Sequence, residues 1–90
     1  MNRLSVVLST TFKKDYKLSC KRGMPIPLLE AVVEKLSSNQ LLEAKNKDHQ
    51  LAGEYASYRE CHILPDWLLI YQISESTLFL VRLGTHSDLF

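Results

Sequence analysis

Three histidines stand in three separate segments, His49 in KDHQL, His62 in ECHILPDW and His86 in GTHSDLF, with Asp66 and Trp67 following His62 around the corner CHILPDWLLIY. A turn needs only Gly, Asn or Pro. Imidazole titrates near ~6.5, so at neutral pH one ring accepts a proton while another, beside a carboxylate, donates one. Attack of an RNA 2′-hydroxyl on its neighbouring phosphate requires a base for the nucleophile, an acid for the 5′-oxygen and a cation for the developing charge. The same groups permit a second chemistry, since three His and one Asp suit a tetrahedral Zn²⁺ shell. Their spacing shows neither HxH nor HxxxH, which weakens the metal reading.

Each of these residues also has an ordinary role. A lone His at a strand end is commonly structural, Asp after Pro is a favoured turn residue, and Trp67 suits a core. Arg59 and Arg82 either pair with Glu60 or Glu75 on the sheet or bind phosphate through their planar forks. Residue types and spacing alone therefore indicate a nucleic-acid or acid–base site without naming a substrate.

The elements that must position these groups follow from periodicity. LSVVLS, Leu4 to Ser9, reads as a strand, and Thr10 and Thr11 are suited to cap the next helix. Phe12, Tyr16 and Cys20 recur at i, i+4, i+8, with Lys13, Lys14, Lys17 and Lys21 elsewhere on the cylinder. Gly23 ends this helix, and MPIPLLEAVVEKLSSN restarts one with Leu28, Leu29, Val32, Val33 and Leu36 as its buried stripe. From Leu41 to Tyr58 the chain reads as a loop with a helical start at Leu41 to Ala44. Three strands follow, YRECHIL, WLLIYQI and LFLVRLG, joined by short turns at Pro65-Asp66 and Ser74 to Ser76. The tail THSDLF adds a last strand or covers an edge. The expected fold is one α+β domain over residues 1–90: an N-terminal strand, two helices, then an antiparallel meander of three to four strands with the helices on one face. If WLLIYQI pairs with LFLVRLG, Trp67 and Gly84 share one end and His86 comes within reach of Asp66.

Composition excludes several classes. The chain has 90 residues, 46% hydrophobic and 23% charged, as expected of a globular domain. No apolar run approaches the ~18 residues of a membrane span, and the N-terminus lacks a signal-peptide pattern, so a cytoplasmic location is expected. Cys20 and Cys61 are far apart without a CxxC partner, and both are expected to be buried thiols. The net charge of +1 conceals an asymmetry. Residues 1–30 carry six basic and two acidic side chains, or +4, and residues 31–90 carry five basic and eight acidic ones, or −3. The first third thus presents a basic face, suited to a polyanion or simply solvated.

Taken together, DHxLxGxxxxYRxxHxxPDWxLIY and RxGTHxxLF, spanning Asp48 to Phe90, resemble the YafQ-like toxins of bacterial type II toxin–antitoxin modules, within the RelE/ParE superfamily. The first half agrees in layout alone. The resemblance implies a RelE-like microbial ribonuclease fold and a metal-independent, cofactor-free endoribonuclease that cleaves mRNA in the ribosomal A site. It also implies silencing by a cognate antitoxin, with operator DNA met only through that complex. Position by position, it carries activity onto His49, His62, Asp66, His86 and Phe90, and places Trp67 and Arg82 beside them. In this reading His86 protonates the 5′-oxygen and Asp66 or a nearby His takes the 2′-hydroxyl proton. His49, His62 and Arg82 hold the phosphate, and Trp67 and Phe90 pack beneath the site or stack on a base. The alternative is a degenerate homologue that binds antitoxin without catalysis. The low net charge, and a terminal carboxylate at Phe90 where related sequences often continue, are expected to tune activity.

Overall fold

A computed structural model describes residues 3–90. The order is β1 (Ser5–Leu8), α1 (Thr10–Lys21), α2 (Ile26–Ser37), β2 (His49–Gln50), β3 (Arg59–Leu64), β4 (Trp67–Ser74), β5 (Thr77–Gly84) and α3 (His86–Leu89). Among the described residues the strands form one sheet in the order β1-β5-β4-β3-β2. β1 runs parallel to β5, and the other pairs are antiparallel. The expected α+β layout holds. The additional strand is His49–Gln50 on the far edge, and the tail forms a short helix.

Helix α1 starts at Ser9 rather than at the threonines. The Ser9 hydroxyl accepts the Phe12 N–H at 2.9 Å and donates to the Val81 carbonyl at 2.8 Å, so one side chain caps the helix and ties it to β5. The helix ends as Gly23 takes φ 72°, with Met24 N–H bonding Ser19 C=O at 3.0 Å and Gly23 N–H bonding Cys20 C=O at 3.1 Å. Its buried face is Phe12 and Ser19, with Tyr16 half-buried. Cys20 is exposed, against expectation, because Ser19 occupies the inward position one residue earlier and its hydroxyl receives the Trp67 indole N–H at 3.3 Å. In α2, Leu29, Val32 and Leu36 are buried, whereas Leu28 faces outward. The expected helical start at Leu41 appears one turn later, as a 3₁₀ turn at Ala44–Asn46.

Strand β4 explains the unbroken run WLLIY. Trp67, Leu69 and Tyr71 join the core against α1 and α2, while Leu68 and Ile70 pack on the other face with Leu89, Leu51, Tyr58 and Val81. A strand covered on both sides has no polar alternation. Strand β3 does alternate: Cys61 and Ile63 enter the helix-side core, which leaves Glu60 and His62 for the opposite face. The site is thus built on the side of the sheet away from the two long helices.

Ser9→Ala should destabilise the fold by about 1–2 kcal/mol, since it removes the cap and leaves the Val81 carbonyl without its hydroxyl donor. Urea unfolding measures this, and an unchanged midpoint would refute the dual role of Ser9.

Candidate active site

His49 lies on the two-residue strand β2, opposite Glu60 of β3 in register. Its Nδ1 sits 2.7 Å from the Lys47 carbonyl. A carbonyl only accepts, so Nδ1 carries the hydrogen and Nε2 is the atom left for proton exchange. That Nε2 lies 3.6 Å from Glu60 Oε1, and His62 Nε2 lies 3.3 Å from the same oxygen. The Glu60 side chain is almost wholly buried, and in alternation with Cys61 it must face the histidines rather than the helices. The His62 carbonyl is held in turn by the buried Asn46 amide at 2.8 Å.

The third imidazole arrives from the end of β5. Leu68 pairs with Gly84, which places the start of β4 beside that end. Asp66, in the two-residue turn before β4, then accepts two hydrogen bonds from one residue through Oδ1, the His86 backbone N–H at 2.9 Å and the His86 Nδ1–H at 2.5 Å. These bonds, the backbone one foremost, hold the Asp66 carboxyl below the usual aspartate range. The carboxylate fixes the ring and its tautomer, leaving Nε2 for chemistry. The ring centroids of His62 and His86 are 5.7 Å apart at 68°, and those of His49 and His62 are 6.4 Å apart. His62 therefore stands between the other two, and residues 49, 62, 66 and 86 come together on one face.

Trp67, Arg82 and Arg59 are committed elsewhere. Trp67 is only 1% exposed in the helix-side core, so it cannot stack on a base. Arg82 is not open toward phosphate: Asp15 of α1 takes its Nε at 2.8 Å and its Nη2 at 3.3 Å. Arg59 pairs with Asp48 at 3.2 Å rather than with Glu60, because neighbouring strand residues face opposite ways. Phe90 remains 62% exposed, with Tyr55 edge-on at 6.0 Å. Cys61 is no nucleophile, since burial first, and then the charges of Asp48 and Glu60, push its thiol up to about 12. Glu60 is the principal residue whose place the residue pattern alone assigns wrongly. The signal available was its i, i+2 spacing to His62, which on a strand means a shared face. Among the described residues no group of three or more His, Cys, Asp or Glu is arranged to hold a metal ion.

Two measurements test this geometry. Trp67→Phe should lower stability by about 1–3 kcal/mol in urea while leaving the ¹⁵N signals of the three imidazoles in place; displaced ring signals would put Trp67 in the site after all. In His86→Ala the Asp66 carboxyl should titrate closer to the ordinary range but not reach it, since the backbone donor survives. Titration by ¹³C NMR showing no change would remove the ring contact as a cause.

Comparison with known proteins identifies the family. Residues 4–90 match the family model described as the bacterial toxin of type II toxin–antitoxin systems, YafQ. The chain is 38% identical over 91 residues to the mRNA interferase toxin YafQ of Escherichia coli K12, covering 100% of this chain and 99% of that protein. A metal-bound toxin from Helicobacter pylori superposes with a TM-score of 0.91 at 50% identity, covering 97% of this chain and 99% of that one. The DinJ–YafQ toxin–antitoxin complex of E. coli matches with a TM-score of 0.90 at 37% identity, covering 98% of each chain. The chain belongs to the YafQ family of bacterial type II toxin–antitoxin toxins.

Proposed function

We propose that this chain is an endoribonuclease, cleaving mRNA on the translating ribosome by 2′-hydroxyl attack and inhibited by a cognate antitoxin. The observation that carries the reading is the row of three imidazoles with a carboxylate at each end, Glu60 beside His49 and His62, Asp66 on His86. His86, oriented by Asp66, protonates the departing 5′-oxygen through Nε2. His49, whose Nε2 faces Glu60, takes the 2′-hydroxyl proton. His62, between them, contacts the phosphoryl oxygens. With Arg82 committed to Asp15, the ring of His62 is the donor left to face the charge that develops on the phosphorane. Phe90, exposed one helical turn beyond His86, offers an aromatic face to a flanking base. No step draws on a metal ion or cofactor.

The antitoxin reading has its own surface. A groove of about 630 Å³ lies between β1 and the two long helices, lined by Val6, Leu8, Phe12 and Val33 and edged by Lys13 and Lys17 on one helix and Glu30 and Glu34 on the other. β1 is an edge strand with Val6, Val7 and Leu8 partly exposed, a surface that an added strand or an apolar segment would cover. An apolar and partly basic surface on the first helix and the sheet edge supports the antitoxin reading. Among the described residues no helix is long and apolar enough to cross a membrane. Action on translating ribosomes would take place in the cytoplasm.

Induced without antitoxin, the chain should arrest growth and cut translated message. His86→Gln should reduce cleavage by about 10²-fold or more while the fold persists. Mapping cleavage sites on a translated mRNA, with and without ribosomes, measures substrate and ribosome dependence together. Harmless expression combined with tight antitoxin binding would favour the non-catalytic homologue instead.

A further inference from the structure

We infer that Arg22, at the end of α1, is a positioning residue for His86, acting through Asp88. The inference rests on the assignment of His86 as the acid above. Helix α3 spans only His86–Leu89, a single turn that cannot persist without outside support. Leu89 anchors it in the core with Leu68 and Ile70, and two further supports, one local and one remote, meet at Asp88. Thr85 and Asp88 cap it reciprocally, with Thr85 N–H donating to Asp88 Oδ2 at 3.0 Å and Asp88 N–H donating to Thr85 Oγ1 at 3.2 Å. From 66 positions earlier in the chain, the Arg22 guanidinium reaches the same carboxylate, Nη1 to Oδ2 at 2.7 Å and Nη2 to Oδ1 at 3.4 Å.

The surroundings are shaped for this contact. Gly23, at φ 72°, turns the chain away immediately after Arg22 and leaves its side chain at the tip of α1. Gly84 has no room for a side chain, because a Cβ there would lie 2.9 Å from Asp88 Cβ. Asp88 thus rests against the end of β5 with its carboxylate turned to three donors. His86 is the first residue of the same turn, and both its backbone N–H and its ring depend on meeting the exposed Asp66. A turn free to rock about Thr85 would carry the imidazole away from Asp66 and from His62. Arg22 clamps that turn to the helical layer, so the acid is located by a residue that touches neither RNA nor histidine.

Arg22→Ala and Asp88→Asn, the latter keeping an acceptor for the Thr85 N–H, are compared with the parent chain and with His86→Gln on a translated message. The expected result is a roughly 10- to 100-fold fall in kcat with KM unchanged for each. The double variant should be no worse than either single one, and Arg22→Lys should fall between Arg22→Ala and the parent. In ¹⁵N spectra of folded Arg22→Ala, the His86 ring signals should move while those of His49 remain. A rise in KM alone, with His86 signals in place, would mean that Arg22 binds RNA directly and would overturn the inference. So would unchanged kcat in Arg22→Ala where His86→Gln is inactive. If His86→Gln cleaves fully, the acid assignment fails, and the His86 ring signals then decide the clamp by themselves.

Discussion

Antiparallel pairing of β4 with β5, with Leu68 opposite Gly84, sets how far the turn after β3 lies from the start of α3. Two residues before Leu68 stands Asp66, and two after Gly84 stands His86, so the ladder brings a carboxylate and an imidazole within hydrogen-bond distance across 20 positions of sequence. A slip of one residue would turn Leu68 and Ile70 toward the helices and expose Leu69 and Tyr71 on the other side. The register is held because β4 is buried on both faces, with Trp67, Leu68, Leu69, Ile70 and Tyr71 all in contact with a core. Burial of these five side chains thereby fixes a polar contact that is itself largely exposed.

The same alternation divides labour between the two faces of the sheet. Cys61 and Ile63 of β3 pack toward α1 and α2, and Glu60 and His62 emerge opposite. The histidine cluster accordingly sits away from the helical layer, which carries its own apolar groove. Two distinct surfaces, a histidine cluster and an apolar groove, thus coexist on a chain of 90 residues. They are joined where α1 ends. Ser19 takes the Trp67 indole N–H, and Arg22 takes the Asp88 carboxylate. The helical layer and the end of β5 share these contacts.

Glu60 shows how a buried charge becomes informative. A carboxylate hidden from water is costly unless it meets partners of opposite charge or good donors. Here its neighbours are the Nε2 atoms of two imidazoles, and the hydrogen of His49 Nδ1 is already given to Lys47. The carboxyl is therefore met by two ring nitrogens rather than by water. At the other end Asp66 holds His86 from an exposed position, where solvent weakens the attraction and the geometry of the contact matters more.

Much of this was readable from residue order because it depends on local rules. The strands around Pro65-Asp66 and Ser74 to Ser76, the helix break at Gly23, and the proximity of His86 to Asp66 follow from periodicity, turn chemistry and hairpin pairing, which act over short stretches. What residue order could not settle were choices made between distant segments. Whether Arg82 faced phosphate or Asp15, whether Trp67 stacked or packed, whether Ser19 or Cys20 turned inward, and whether Glu60 served an arginine or two histidines all depended on which side chains were met across the fold. A guanidinium or an indole is equally suited to either partner, so propensity is silent. Only the tertiary structure, by committing each polar group to one neighbour, decided among them.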